Sequence, residues 1–425
     1  MWRNWTGDQT CEPARRANPA TVADVAATVV EAGRHGEVVR VVGAGHAFGD
    51  NVVTDGTLMS LDALTGVELL DAAAGRVRVA AGTRLFDLNR HLDALGLAMA
   101  NLGDINVQSA AGAISTGTHG TGAKLGNLAT FVESLEIVAA DGTIRELAGD
   151  DLRAARVSVG ALGVVTAYTL RTVPAFKLHE RRDRMPLTSL LRDLEDHIHR
   201  NDHFEFFIFP HATEAITKGL NRSDEPAGVR SRARAYLEEV VLENYALDVL
   251  SKTGRRFTGQ IPRLNRLVTS LASPSDKVNH SYEVFSSPRM VRFTESEWAF
   301  PREAAAEALQ EILAMIDRRG FDINFPIEVR FVAGDTDSML SPAYGRETTY
   351  LAVHAYQGMP WQEYFAAVQE IALAHGARPH WGKRHTLDAP TLATLYPEWE
   401  AFNAVRTRLD PEGRFANAHV QRIFG

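Results

Sequence analysis

The stretch VVGAGHAFGD at 41–50 constrains the fold more than any other, because it ends an apolar β-branched run in a glycine loop with a histidine in its middle. A dinucleotide-binding fingerprint of the G-x-G-x-x-G type needs its third glycine where a helix begins, since the pyrophosphate rests on that helix's N-terminus. Here the glycines are Gly43, Gly45 and Gly49, and Phe48 stands at the third fingerprint position. NVVTDGTLMSLDAL follows and reads as an Asp-Gly turn at 55–56 between strand-like runs, with no helix. The doubly wound nucleotide fold is therefore set aside. The backbone amides of such a loop still form a nest for an anion, so a phosphate-bearing ligand remains in view.

Around this loop the pattern alternates helices and strands. Pro19 and Thr21 open ATVADVAATVVEAG at helical spacing, and Gly33 and Gly36 close it. EVVRVVG (37–43) is a short buried strand, GRVRVAAG (75–82) an alternating strand, and RLFDLNRHLDALG (84–96) a helix stopped by Gly96. A second glycine-rich stretch, NLGDINVQSAAGAISTGTHGTGAKLGN (101–127), has few side chains that could fill a core, Ile114 and His119 among them. Such a run is expected where backbone approaches a flat or charged ligand. SLEIVAADGTIREL (134–147) follows as a hairpin, and SVGALGVVTAYTLRTVP (158–174) feeds further glycines into a strand. Three glycine loops in one N-terminal domain predict a single extended ligand touched at several points.

Composition narrows the partners. A chain of 425 residues exceeds what one core usually serves, so two domains are expected. The net charge of −8 and the lack of a sustained basic stripe argue against nucleic acid, and the arginines of VRSRARAY (229–236) read as a solvated helix face. No apolar run is long enough to span a membrane. Arg15-Arg16 is followed by Pro19, Asp24 and Glu31 where an export signal needs an apolar core, so the chain reads as cytoplasmic. Cys11 is the sole cysteine, which excludes an internal disulfide and fits a reducing compartment.

Two charged constellations stand in the C-terminal half. PIEVRFV reads as a strand, so Glu328 and Arg330 project from one face, where the carboxylate orients the guanidinium among Phe325, Pro326, Ile327 and Phe331. A surface ion pair is the alternative, but those apolar neighbours make an unpaired charge costly. HWGKRH holds His380, Lys383 and His385, with His375 just upstream; without a carboxylate at a ligand spacing, no metal is expected.

RVVGAGHAFGD, TDGTLMSLDAL, STGTHGTG and GALGVVT, in that order, resemble the FAD-binding domain of vanillyl-alcohol-oxidase-type flavoproteins. NWTGDQ, HFEFFIFP, PIEVRF and the ending from HWGKRH to GRFAN resemble, more narrowly, the sugar-1,4-lactone oxidases and alditol oxidases. The resemblance spans nearly the whole chain and is weakest at 212–285. It implies an α+β, two-domain flavoenzyme: 1–175 binding FAD, 176–375 a substrate domain built on an antiparallel sheet, and 376–425 returning to the flavin. It implies FAD covalently attached at His46 and contacted by Gly43, Ala44, Gly45, Ala47 and Phe48 of the first loop. Ser115, Thr118, His119, Gly122 and Asn127 would serve from the second loop, and Gly160, Gly163, Val164 and Val165 from the third. Ala47 replaces a serine common in relatives, and with Cys11 far upstream a second, cysteinyl link is not expected.

The same resemblance implies an active site of Glu328, Arg330, Lys383 and His354, with Tyr356 sharing the His354 strand face in the pocket and Ala111 or Ala113 shielding the flavin from oxygen. The implied reaction is hydride transfer from a polyhydroxylated alcohol carbon to flavin N5, with Arg330 and Lys383 stabilising the developing charge. An aldono-1,4-lactone is the first substrate choice and an open-chain alditol the alternative, with oxygen or another acceptor taking the electrons. A silent flavin-binding protein would keep the glycine loops but has no need of the Glu328–Arg330 pair or Lys383.

Overall fold

The computed structural model describes residues 1–228, 246–272, 274–286 and 291–425; the basic stretch at 229–236 lies outside them. The chain is α+β. Thr21 caps the first long helix, Val22–Arg34: its side chain accepts from the Asp24 N–H while the Asp24 carboxylate accepts from the Thr21 N–H. The helix buries Val25, Val29 and Ala32 in a cluster with Val39, Met59 and Val164. Strand Val39–Val42 runs parallel to Thr57–Ser60, which pairs on its other edge with Arg15–Ala17.

One expectation changes here. Asp55-Gly56 turns no hairpin, because 51–53 carry no strand and the strand that follows is parallel to Val39–Val42. Gly56 is required for a different reason: a β-carbon there would collide with the Val38 carbonyl. The second Asp-Gly behaves as read, with Val132–Val138 and Ile144–Leu147 antiparallel around Gly142 at φ +81°. These strands join Val164–Arg171, Arg76–Ala80 and Val67–Asp71 in a five-stranded antiparallel sheet.

From residue 177 the chain builds an eight-stranded sheet, antiparallel at every paired edge. Its order is Ser275–His280, Lys177–Pro186, Glu214–Ser223, His203–Ile208, Ile327–Val332, Thr348–Tyr356, Phe293–Pro301, Arg378–Pro379. Its two faces differ in chemistry. Every residue of Ile327–Val332 is buried, yet Ile327, Val329 and Phe331 enter the apolar core while Glu328 and Arg330 project from the other face. The same alternation sends Trp298 and Phe300 into the core shared with helices Ala305–Arg319 and Gln362–Ala374, leaving Glu295 and Glu297 on the charged face. Among the described residues no helix is long and apolar enough to cross a membrane.

The C-terminal residues come back to the first glycine loop. Arg40, buried, donates to the carbonyls of Asn51 at 2.9 Å, Val159 at 2.7 Å, Gly160 at 3.2 Å and Phe415 at 2.7 Å. Asn417 Nδ2 adds the carbonyls of Asp50, Asn51 and Val53 at 3.3, 3.2 and 2.9 Å. One guanidinium thus ties four separate segments together, each carbonyl being a group that burial would otherwise leave unpaired.

A carboxyl joins other segments. Asn127 Nδ2 donates to Ser341 Oγ at 3.0 Å and to Asp335 Oδ2 at 3.4 Å, while Ser341 Oγ donates to the same oxygen at 2.5 Å. Burial pushes Asp335 from its ordinary 3.8 up to about 6, the Ser341 hydrogen bond opposing it. A carboxyl raised in this way contributes its stability fully below the unfolded value and loses it as pH rises through about 6. Asp335→Asn cannot ionise, so its unfolding temperature should gain on the wild type by a few degrees between about pH 4 and about pH 8. A pH-independent difference in thermal unfolding would contradict this account.

Candidate active site

A cleft opens between the glycine loops and the charged face of the large sheet. Its wall includes Gly43, Ala44, Gly45, His46, Ala47 and Phe48 of the first loop, Ser115, Thr118 and His119 of the second, and Gly160, Gly163 and Val165 of the third. A β-carbon on Gly43 would displace the Ser109 hydroxyl, which caps the following short helix by accepting from the Gly112 N–H, so a larger residue would cost that cap.

Five of the residues expected at the cofactor or pocket lie off the cleft lining, Tyr356 on the substrate side and four on the glycine-loop side. Gly122 N–H donates to the Phe331 carbonyl at 2.6 Å, joining the second loop to the large sheet. Asn127 caps a short helix through the Ala129 N–H and holds Ser341. Val164 is fully buried beneath the helix Val22–Arg34, because on a strand its neighbour Val165 takes the cleft face. Ala113 is turned inward with Ala110 and Ile114 by the short helix Ala110–Ser115, whose outward face puts Ala111, Gly112 and Ser115 on the cleft.

The N-terminal NWTGDQ grips the histidine loop. Trp5 N–H donates to the Gly45 carbonyl at 2.8 Å, Asn4 Nδ2 reaches the Ala47 carbonyl at 3.3 Å, and the Trp5 ring stacks on His46 with centroids 4.9 Å apart. Nδ1 of His46 is buried without a hydrogen-bond partner among the described residues. Burial, aided by the charges of Lys383 and Arg84, lowers this imidazole to about 4, so it is neutral at neutral pH. These features fit FAD: glycine backbone approaches from three loops, Arg40 brings a buried cation to the wall, and His46 offers an unprotonated ring.

Opposite stands the charged face. Arg330 pairs with Glu328, with Glu205 through Nε at 2.9 Å, and with Asp104 at 2.5 Å. Glu205 also meets Lys218 at 2.9 Å. Sheet register accounts for this: Lys218 lies opposite Glu205, which lies opposite Arg330. Burial would lower the Arg330 pKa, but Asp104, Glu328 and Glu205 hold it well above the usual arginine value. Burial would raise Glu205, but Lys218 and Arg330 hold it below the usual carboxylate range.

Lys383 pairs with Glu295 at 2.6 Å, lies 3.8 Å from Glu297 and sits 5.0 Å over the Phe48 ring. Burial would lower its pKa; Glu295 and Glu297 raise it. His354 lies opposite Glu295, with Nδ1 on the Pro326 carbonyl at 2.9 Å and Nε2 3.7 Å from Glu295. The structure thus brings Glu328, Arg330, His354 and Lys383 to one wall. Asp104, Glu205, Lys218, Glu295 and Glu297 were not expected there, although E-x-E within FTESEWAF and the lone charge in HFEFFIFP carry the same alternating signal as Glu328-x-Arg330.

Tyr356 is not brought to this wall. It packs with Phe48, Phe293, Phe325 and Met359, its hydroxyl donates to Asp248 Oδ1 at 2.9 Å, and Arg255 lies over its ring. It shares the strand face of His354, but the strand has passed the cleft by that position.

A family profile described as D-arabinono-1,4-lactone oxidase matches residues 168–423, and one described as FAD binding domain matches 13–148. The chain belongs to the D-arabinono-1,4-lactone oxidase family. It is 46% identical to an L-gulono-1,4-lactone dehydrogenase of Mycobacterium tuberculosis over 100% of this chain and 99% of the relative. It is 32% identical to the L-gulonolactone oxidase of Scyliorhinus torazame (100% and 98% covered) and 30% to an alditol oxidase of a Streptomyces species (99% and 98%). Among solved structures, a His121Ala mutant of Brevibacterium sterolicum cholesterol oxidase superposes with a TM-score of 0.82 at 18% identity, covering 100% of this chain and 96% of that one, which shows a shared fold. The chain is accordingly an FAD-linked oxidoreductase acting on CH–OH groups.

Removing Arg330 strips the charged face of a cation held by three carboxylates, so Arg330→Ala should slow anaerobic flavin reduction by at least about a hundredfold while FAD content holds. Tyr356→Phe loses only the Asp248 contact and should leave kcat and KM within about threefold of wild type. Stopped-flow reduction of both variants checks the pair, and a reversed order would refute the placement.

Proposed function

We propose that this enzyme oxidises a hydroxyl-bearing carbon of an aldono-1,4-lactone. The observation that carries the reading is the convergence of Arg330 and Lys383, each held by buried carboxylates, on one wall of a cleft whose other wall is three glycine loops. FAD bound in that cleft supplies the two-electron acceptor. Residues 1–175 carry its binding surface, 176–375 the substrate wall, and 376–425 return with Lys383 to the cleft.

Arg330 orients the substrate hydroxyl and offsets negative charge growing on its oxygen, as an oxyanion hole does. Glu328 and Glu205 fix the guanidinium plane, which lowers the cost of ordering it on binding. Lys383 offsets the charge that arrives on the cofactor. His354, with Nδ1–H engaged by the Pro326 carbonyl, takes the hydroxyl proton at Nε2. Aromatic alcohols are a poor match for this wall, whose charged groups they would leave unpaired.

The substrate class is supported by the family profile and by relatives named for gulonolactone. His354 favours a second reading, an open-chain alditol, since the sequence resemblance places a histidine there in alditol oxidases. A panel of aldonolactones, alditols and uncyclised sugars, run with a dye acceptor and with oxygen in parallel, decides between them. Lactones should reduce the flavin fastest, with turnover on the dye. Faster reduction by alditols selects the second reading, and reduction only by phenolic or aliphatic alcohols refutes both.

We further propose that His46 bonds covalently to the flavin. A neutral imidazole with an unengaged nitrogen, held against Trp5 in the cleft wall, supports it. After acid precipitation the yellow colour should stay with the wild-type protein and leave His46→Ala. Colour in the wild-type supernatant overturns covalency and leaves FAD binding standing.

A further inference from the structure

The buried carboxylates that flank Lys383 have so far been given no role beyond holding it. Glu295 and Glu297 stand two residues apart on strand Phe293–Pro301 and so share its cleft face. Both are buried, as is His119. Glu297 Oε1 lies 3.1 Å from His119 Nε2, and its Oε2 lies 3.8 Å from Lys383 Nζ. Glu295 Oε2 lies 2.6 Å from the same Nζ, and its Oε1 3.7 Å from His354 Nε2.

His119 also reaches the Gly120 carbonyl through Nδ1 at 2.8 Å. Its two ring nitrogens therefore face two oxygen atoms. The result is a buried line of polar groups, His119, Glu297, Lys383, Glu295, ending at His354. It starts on the second glycine loop, crosses the edge of the large sheet, and includes the C-terminal lysine.

His119, Glu297 and His380 also bring ligand atoms within 4.8 Å of one another. A metal ion is not what they hold: Lys383 already provides a cation at Glu297, and His380 Nδ1 accepts the Gly382 N–H at 3.0 Å.

Charge balance shows what the line does. On this wall the carboxylates Asp104, Glu205, Glu295, Glu297 and Glu328 meet the cations Arg330, Lys218 and Lys383, with His119 beside them. Two of the carboxylates are spent on the one lysine proposed to face the cofactor. A cation so matched keeps its position, and its field at a neighbouring group is reduced by that of its partners. In a low-dielectric cleft such a difference acts directly on the equilibrium between the oxidised and the more negative reduced cofactor.

We propose that Glu295 and Glu297 are positioning residues that fix the Lys383 ammonium and restrain its charge, and that they thereby set the reduction potential of the bound FAD. The inference rests on the reading that FAD occupies the cleft beside Lys383. Carboxylates next to a catalytic cation make the reduced cofactor a readier donor to the final acceptor, at the cost of a slower first half-reaction.

The test measures the flavin midpoint potential by equilibration with a reference dye, on purified holoenzyme with FAD content checked by absorbance. Lys383→Met should shift the potential downward. Glu295→Gln and Glu297→Gln should each shift it upward, a change that a merely structural role does not produce. Glu295→Asp keeps the charge but withdraws it by one methylene, so it should give a smaller upward shift; it serves where a glutamine variant fails to retain FAD. A shift in Lys383→Met with none in the glutamate variants overturns the inference and leaves the FAD site intact. No shift in Lys383→Met overturns the placement of the cofactor beside that lysine, and the inference with it.

Discussion

A sheet that buries ionised side chains must neutralise them within the reach of its own strands, and the rest of this structure depends on that constraint. Antiparallel register is the device. Lys218, Glu205 and Arg330 are successive cross-strand neighbours, so a slip of one residue in any of three strands would turn a charge into the apolar core. Removing one partner from such a set leaves a buried charge uncompensated, which is far costlier than never having had the pair. The apolar face of the same strands, with Phe206, Val329 and Phe331, therefore does more than hold helices: it locks the register on which the charge pairing relies.

The two walls of the cleft are built on opposite physical grounds. On one, glycine and small side chains clear space. On the other, long charged side chains fill space and are held rigid by one another. A cofactor laid between them meets a surface that accepts its shape and a surface that responds to its charge. Preorganisation of this kind means little reorganisation is needed when charge develops during reaction.

Much of this was legible in the sequence, and the reasons are local. Missing third glycine and missing helix after 41–50 rejected the doubly wound fold from spacing alone, and the structure has a parallel strand there with no helix between. Glu328 and Arg330 were legible because two charges in an apolar strand are costly unless they meet. Glu205, Glu295 and Glu297 obey the same rule, yet their partners come from residues 119, 218, 330 and 383, and no single-strand pattern reveals which strand will lie beside which. Gly122, Asn127 and Val164 lie off the cleft lining for a related reason. Motif membership places a residue in a loop, whereas the turn of a short helix or the alternation of a strand decides which way it faces. Tyr356 had the right face of the right strand, but strand length relative to the cleft cannot be read from periodicity.

The knot of hydrogen bonds around Arg40 has a temporal meaning. The loop that bears His46 follows the strand from which Arg40 holds the carbonyls at 51, 159 and 160, and Phe415 and Asn417 close it from behind. A domain made largely of early residues can begin to collapse while synthesis continues. This one lacks the back wall of its glycine loop until residues 415 and 417 have been made and have docked. The back of the histidine-bearing loop is thus closed by residues that lie 366 and 375 positions further along the chain than those they hold.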